Sequence, residues 1–218
     1  MKGVTEGGPL GDAPLGCTIE VTRLAEGFRP LEVARVTHDR LDGAGTLGPM
    51  TREVLRCGTV AVIIPYDPRS DRLVLIRQFR IGNALRTPHA GALELPAGLI
   101  DPGESVLDGA RRELREETGL EAEALAPAFD MMPSPGLCDE YAHIVIALVD
   151  ASRLAAAAGL ADEHEDIRPL PVPVDEALDA IDAGRAVNGF LVAGLFWFAR
   201  RGRERAAALA GQNGRNRP

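Results

Sequence analysis

The sequence predicts an α/β fold, a mixed sheet covered by helices on both faces, preceded by a small antiparallel β-sheet region. Two observations point there. Strand-like runs alternate with two or three helical patterns from residue 58 onward. Before that point, short β-prone pieces are separated by Pro and Gly signals. With 218 residues, 45% of them hydrophobic, the chain can bury one good core, and a second complete domain is not expected.

Residues 1–16 are rich in Gly and Pro without periodicity and read as a disordered lead. Residues 18–24, 31–38 and 51–56 are the β-prone pieces of a region spanning 17–57, a sheet that would be only marginally stable alone. A larger α/β region then runs over 58–210. Its first two strands, 59–66 and 73–79, are joined by Asp67-Pro68-Arg69-Ser70-Asp71, a strong turn signal that predicts a hairpin. A strand at 92–95 leads through Pro96-Ala97-Gly98 into a loop and a helix. Ser105 and Asp108 form a capping-box pattern at the start of that helix, and Gly119 supplies the left-handed residue that ends it. Val106, Ala110 and Leu114 recur as an apolar stripe.

Strands follow at 124–131 and 142–149, with Pro133-Ser134-Pro135-Gly136 in a loop between them. Residues 151–168 read as a long exposed loop, acidic at Asp162-Glu163-His164-Glu165-Asp166, and loops of this length are usually functional or disordered. A strand over 167–174 precedes a helix that Asp175 can cap, with Ala177, Leu178 and Ile181 inward and Gly184 at its end. The last helix, 189–209, sets Phe190, Ala193, Gly194 and Trp197 on one side, and a polar tail over 211–218 frays.

The chemistry concentrates in residues 98–120. Glu113 and Glu117 are four apart, hence neighbours on a helix surface, and Glu116 lies beside them. Like charges at this spacing cost roughly 0.2–0.5 kcal/mol, which Asp108 and Arg112 relieve only in part. A solvated acidic face would look the same locally. With no His or Cys nearby, the cluster is a hard, all-oxygen donor set that suits Mg²⁺ or Mn²⁺ and not zinc.

Composition removes other classes. A formal charge of -8 disfavours a nucleic-acid groove, which needs clustered Lys and Arg. Cys17, Cys57 and Cys138 are scattered and odd in number, so a disulfide framework is not expected and a reducing cytoplasm fits. The N-terminus shows no signal-like apolar stretch, and the longest apolar run, 190–199, is too short for a bilayer.

Read in order, Gly98, five residues, Glu104, seven residues, then Arg112-Glu113-Leu114-Arg115-Glu116-Glu117-Thr118-Gly119-Leu120 resembles the Nudix box at every fixed position. That resemblance implies a Nudix α/β/α sandwich that hydrolyses a diphosphate joined to a second group. It implies Glu113 and Glu117 as metal ligands, Glu116 as a nearby carboxylate of the metal cluster, and Arg112 as the residue orienting the cluster.

Pro135, sixteen residues after Gly119, resembles the ADP-ribose pyrophosphatase branch, as do Gly27-Phe28, Arg52-Glu53-Val54, Glu94-Leu95-Pro96-Ala97-Gly98 and the stretch 159–167. The branch implies hydrolysis of ADP-ribose to AMP and ribose 5-phosphate with two or three Mg²⁺ or Mn²⁺ ions. By the same resemblance, the Ala97 carbonyl and Glu165 complete the metal site, and Glu163 is the general base with Glu140 its competitor. Arg80 meets a phosphate, Ser134 and Gly136 approach the diphosphate, and Phe28, Arg52 and Glu53 cover the adenine. The bacterial form it resembles is a homodimer in which each N-terminal sheet reaches over the other subunit. Hydrolysis of GDP-mannose or UDP-glucose is the nearest alternative. A non-catalytic ADP-ribose sensor is disfavoured because every box glutamate is kept, and a hydrolase of RNA caps or oxidised nucleotides by the net charge and the long N-terminal region.

Overall fold

The computed structural model describes residues 11–156, 158, 159 and 166–215. Two units divide the chain. The first comprises residues up to Cys57 together with Ser134–Asp139, and the second comprises Gly58–Pro133 and the chain from Glu140 onward.

The first unit is a three-stranded antiparallel sheet, β1 (Cys17–Ala25), β2 (Leu31–Asp39) and β3 (Thr46–Leu55), in that order. β3 begins five residues earlier than the sequence predicts, because Pro49 and Gly48 fall where the ladder is already irregular. The β2–β3 register shifts between Val36 and His38, and Gly48 adopts φ +120 there. A methyl group on it would stand 2.6 Å from Val36 O, so only glycine fits. The segment 134–139 belongs to this unit through Leu55 N–H to Leu137 O at 3.0 Å and Asp139 N–H to Leu55 O at 3.2 Å. Asp139 also accepts from Cys57 N–H at 2.7 Å and from Arg56 Nε at 2.6 Å. Arg56 is shared with Glu32, and these two carboxylates, Glu32 first, raise its pKa further.

The second unit is built on β4 (Thr59–Asp67), β5 (Arg72–Phe79), β6 (Gly91–Glu94), β7 (Ala97–Leu99), β8 (Ala124–Met131), β9 (Tyr141–Leu148) and β10 (Arg168–Pro173). The sheet order is β10-β5-β4-β9-β8, with β6 on β5 and β7 on β4, and only β4 and β9 run parallel. The predicted hairpin is present. Asp67 closes its turn by accepting from Arg69 N–H at 2.9 Å and Ser70 Oγ at 2.9 Å. β4 and β5 pair only at Tyr66–Leu73 and Asp67–Arg72, then diverge, and β7 takes the edge of β4 that is left.

Alternation along β4 shows both faces covered. Ala61 and Ile63 pack with Ala110 and Leu114 of α2 (Val106–Thr118), whereas Val62 and Ile64 pack with residues of α3 (Val174–Asp182), α4 (Gly189–Trp197) and α5 (Arg203–Arg215). This is the expected α/β/α sandwich. A six-residue helix, α1 (Ile81–Arg86), has no counterpart in the sequence reading. The predicted last helix is two helices joined by a π segment over Phe198–Gly202, and it continues to Arg215, into the tail predicted to fray. Its fully buried residues are Leu191, Gly194, Leu195 and Phe198; of the predicted side Gly194 is among them, while Phe190 and Trp197 are partly buried against the same core. Asp175 does not cap α3 but lies in its first turn, Pro173 occupying the cap position. Among the described residues no helix is long and apolar enough to cross a membrane, and all three cysteines are free thiols.

Candidate active site

The site is organised by α2 and by β7, the strand beneath it. Ser105 caps α2 by accepting from Asp108 N–H at 3.2 Å. The Asp108 carboxylate takes the Ser105 hydroxyl at 2.6 Å. Gly119 ends the helix at φ +70, donating to Arg115 O at 2.8 Å. With both ends set, the rotation of the helix is fixed by Ala110 and Leu114, each wholly buried. Glu113 and Glu117 then face β7.

Glu117 is only 4% exposed, although it stands off the apolar stripe. Its Oε2 accepts from Ala97 N–H at 2.8 Å, which satisfies part of the buried carboxylate. Ala97 can donate because of its place in the ladder. Ile63 N–H bonds Pro96 O at 2.8 Å and Ile100 N–H bonds Thr59 O at 3.0 Å. The β4–β7 bonds therefore fall on residues 96, 98 and 100, and the N–H and C=O of Ala97 both turn away from β4. Glu113 lies against Gly98, where a methyl group would overlap its carboxylate. The box glycine is thus a clearance for the acid above it.

Arg112 ties the cluster together. Its guanidinium donates to Glu104 at 3.1 and 3.0 Å, to Glu113 at 2.6 Å, to Glu116 at 3.2 Å and to Leu99 O at 2.8 Å. One planar fork thereby fixes three carboxylates and the end of β7. The bonds to Glu104 are the first cause that raises the Arg112 pKa further, and in return they hold the Glu104 carboxyl below the ordinary range. Asp101 N–H, 3.0 Å from Glu104 Oε2, acts the same way.

The donor chemistry fits a hard divalent cation: two carboxylates from one helix face and a carbonyl turned toward them. Among the described residues no group of three His, Cys, Asp or Glu side chains gathers closely enough to hold an ion. Glu113 and Glu117 with the Ala97 carbonyl would therefore need a further ligand. Glu165 and Glu163, which the sequence reading takes for that ligand and for the base, lie outside the described residues. The chain enters that stretch beside α2, Gly159 N–H donating to Glu116 O at 3.1 Å.

Arg80 follows β5 and caps the backbone of α1. Its guanidinium is paired side-on with Glu94, Nε to Oε1 at 2.9 Å and Nη2 to Oε2 at 2.8 Å. Glu140 is half-buried just before β9. In the first unit, Ser134 and Gly136 are exposed, and Phe28 is 88% exposed with the Arg29 guanidinium 5.0 Å from its ring centre. Arg52 and Glu53 are exposed neighbours on β3, so they point to opposite faces of their sheet.

Sequence reasoning assigned no role to Glu94, Glu104 or Asn188. Glu104 could have been read as the partner of Arg112 from the box spacing. Glu94 and Asn188 could not be connected, since they are 94 residues apart.

Residues 56–189 match the NUDIX domain family. An ADP-ribose pyrophosphatase of Escherichia coli (strain K12) is 38% identical over 174 residues, covering 80% of this chain and 83% of that protein. A GDP-mannose pyrophosphatase of Escherichia coli O1:K1 / APEC is 36% identical over 155 residues, covering 71% of this chain and 80% of that protein. Among solved structures, an ADP compounds hydrolase superposes with a TM-score of 0.65 at 26% identity, covering 88% of this chain and all of that one. A family match over more than half the chain agrees with the capped helix and its acids over the glycine of β7: the chain belongs to the Nudix family.

Proposed function

We propose that this protein is a divalent-metal-dependent ADP-ribose pyrophosphatase that yields AMP and ribose 5-phosphate. The observation that carries the reading is the joint placement of Glu113 over Gly98 and Glu117 on Ala97 N–H, with Arg112 bridging Glu113, Glu116 and Glu104. The similarity to ADP-ribose pyrophosphatases over four-fifths of the chain supports the choice of substrate. Glu113, Glu117, the Ala97 carbonyl and Glu165 would hold Mg²⁺ or Mn²⁺, two or three ions in all. Bound there, such ions would supply neutralisation of the diphosphate charge and a lowered pKa for water.

Arg112 keeps the carboxylates in register, so little reorganisation is needed as charge develops. Glu163, in preference to Glu140, takes the proton of the attacking water as its oxygen bonds one phosphorus. The bridging P–O bond breaks and its electrons leave with the other phosphate. Arg80, Ser134 and Gly136 bind the diphosphate, while Phe28, Arg52 and Glu53 cover the adenine. A homodimer with exchanged N-terminal sheets is favoured by an apolar face on that sheet. Ile19, Val36 and Met50 stand in one cross-strand row, and Ile19 and Val21 are about half exposed. The free thiols fit a reducing cytoplasm.

The GDP-mannose pyrophosphatase relative keeps one second reading in view, a hydrolase of another nucleoside diphosphate sugar. Release of AMP, GMP and UMP from ADP-ribose, GDP-mannose and UDP-glucose, with Mg²⁺ and after chelation, tests both. AMP released fastest, and only with metal, is the expected result. Faster GMP or UMP release would move the assignment to the second reading.

A further inference from the structure

Glu94 is the most buried carboxylate beside Ala97 that the reaction does not use, 4% exposed and three residues before that strand. It receives four donors. Arg80 engages it through Nε at 2.9 Å and Nη2 at 2.8 Å, Asn188 Nδ2 donates to Oε1 at 3.1 Å, and Gln78 Nε2 to Oε2 at 3.3 Å. Asn188 is also the cap of α4, its Oδ1 accepting from Leu191 N–H at 3.0 Å. One amide therefore locks a helix terminus and a buried acid together. The next residue, Leu95, is held by the same helix. It is 1% exposed, and a methyl group on Gly194 would come within 2.6 Å of it.

The backbone of Arg80 is equally fixed. Its N–H donates to Ala90 O at 2.9 Å and its carbonyl accepts from Ala84 N–H at 3.0 Å. Its side chain is about half exposed while that of Glu94 is buried, so the pair reaches from the core to the surface. Because the guanidinium is planar and uses its Nε/Nη2 edge on Glu94, the Nη1 side is directed away from that acid. A long arginine on a surface loop would lose much rotamer freedom on meeting a phosphate; here the buried acid has removed that freedom beforehand.

We propose that Glu94 is a positioning residue for the substrate diphosphate: it presets the Arg80 guanidinium, and Asn188 sets Glu94 from the N-terminus of α4. This rests on the reading that Arg80 meets a phosphate of a nucleoside diphosphate sugar. Loss of a preset contact to a charged group weakens substrate binding by about tenfold. Because that contact is made with bound substrate and transition state alike, KM rises and kcat changes little.

The test is a double-mutant cycle on the full chain with ADP-ribose and Mg²⁺, thermal melting serving as the check on folding. Glu94→Gln keeps the shape and removes the charge, and is expected to raise KM about tenfold with kcat within about threefold. Asn188→Ser keeps a competent helix cap and deletes only the amide donor, with an expected KM rise of about threefold. In an Arg80→Ala background neither substitution should change KM further, since the residue they act through is gone. The proposal is overturned if Glu94→Gln costs the same factor in both backgrounds, which is the behaviour of a purely structural residue. It is also overturned if Arg80→Ala leaves KM unchanged, an outcome that removes Arg80 from the diphosphate while leaving the Nudix activity standing. Failure of the unsubstituted protein to cleave any nucleoside diphosphate sugar would instead sink the functional reading with it.

Discussion

The cluster on α2 and the cluster around Glu94 use the same residue types in opposite proportions. On α2 one guanidinium is divided among Glu104, Glu113 and Glu116, with Glu117 buried alongside. Around Glu94 one buried carboxylate takes up a guanidinium and two amides. The first arrangement concentrates more negative charge than Arg112 offsets, and because like charges at helix spacing repel, an added cation would stabilise it. The second is neutral in itself and rigid, which suits holding a neighbour in place. On the proposed reading, the excess charge would hold the divalent ions and the satisfied buried charge would aim Arg80.

Substitutions can break this contrast, beginning with the severest. Glu113→Gln should lower kcat about 10³-fold while leaving the melting temperature near that of the parent, since it removes charge and keeps shape. Gly98→Ala should cost about 10²-fold in kcat, because the added methyl group overlaps the Glu113 carboxylate and displaces it. Arg112→Lys should cost about tenfold, a single ammonium being unable to reach Glu104, Glu113 and Leu99 O together.

A subtler effect follows from Glu104. Its carboxyl is held below the ordinary range by Arg112 and Asp101 N–H, so its stabilising contribution is present above the ordinary value and lost as pH falls through the folded one. Melting curves of the parent and Glu104→Gln should therefore differ at neutral pH and converge as the pH falls below the ordinary carboxylate range. The smallest effect expected is that of Ser105→Ala, about 1 kcal/mol of stability by denaturant titration, for the loss of the α2 cap.

The parts legible in the sequence are those with local causes. Ser105, Gly119 and the Val106/Ala110/Leu114 stripe define α2 without reference to the rest of the chain, and the turn at Asp67–Asp71 does the same for its hairpin. What escaped depends on distant partners. β7 is three residues long and exists only because β4 diverges from β5 and exposes an edge. The last helix is interrupted where Gly202 lets the Phe198 ring lie against its backbone, a contact any larger residue would block. Glu117 sits off the apolar stripe and is buried nonetheless, because Ala97 N–H faces away from its ladder. At the candidate site, the box spacing singled out Arg112 and Glu113, which are hydrogen-bonded, but the link between Asn188 and Glu94 joins residues 94 positions apart.

Glu117→Gln isolates the central claim, because the amide oxygen still accepts from Ala97 N–H while the negative charge is gone. AMP release from ADP-ribose at saturating Mg²⁺ should fall at least about 10³-fold in a protein that melts like its parent. Turnover close to that of the unsubstituted chain would contradict the assignment of this acidic cluster to the metal and the diphosphate.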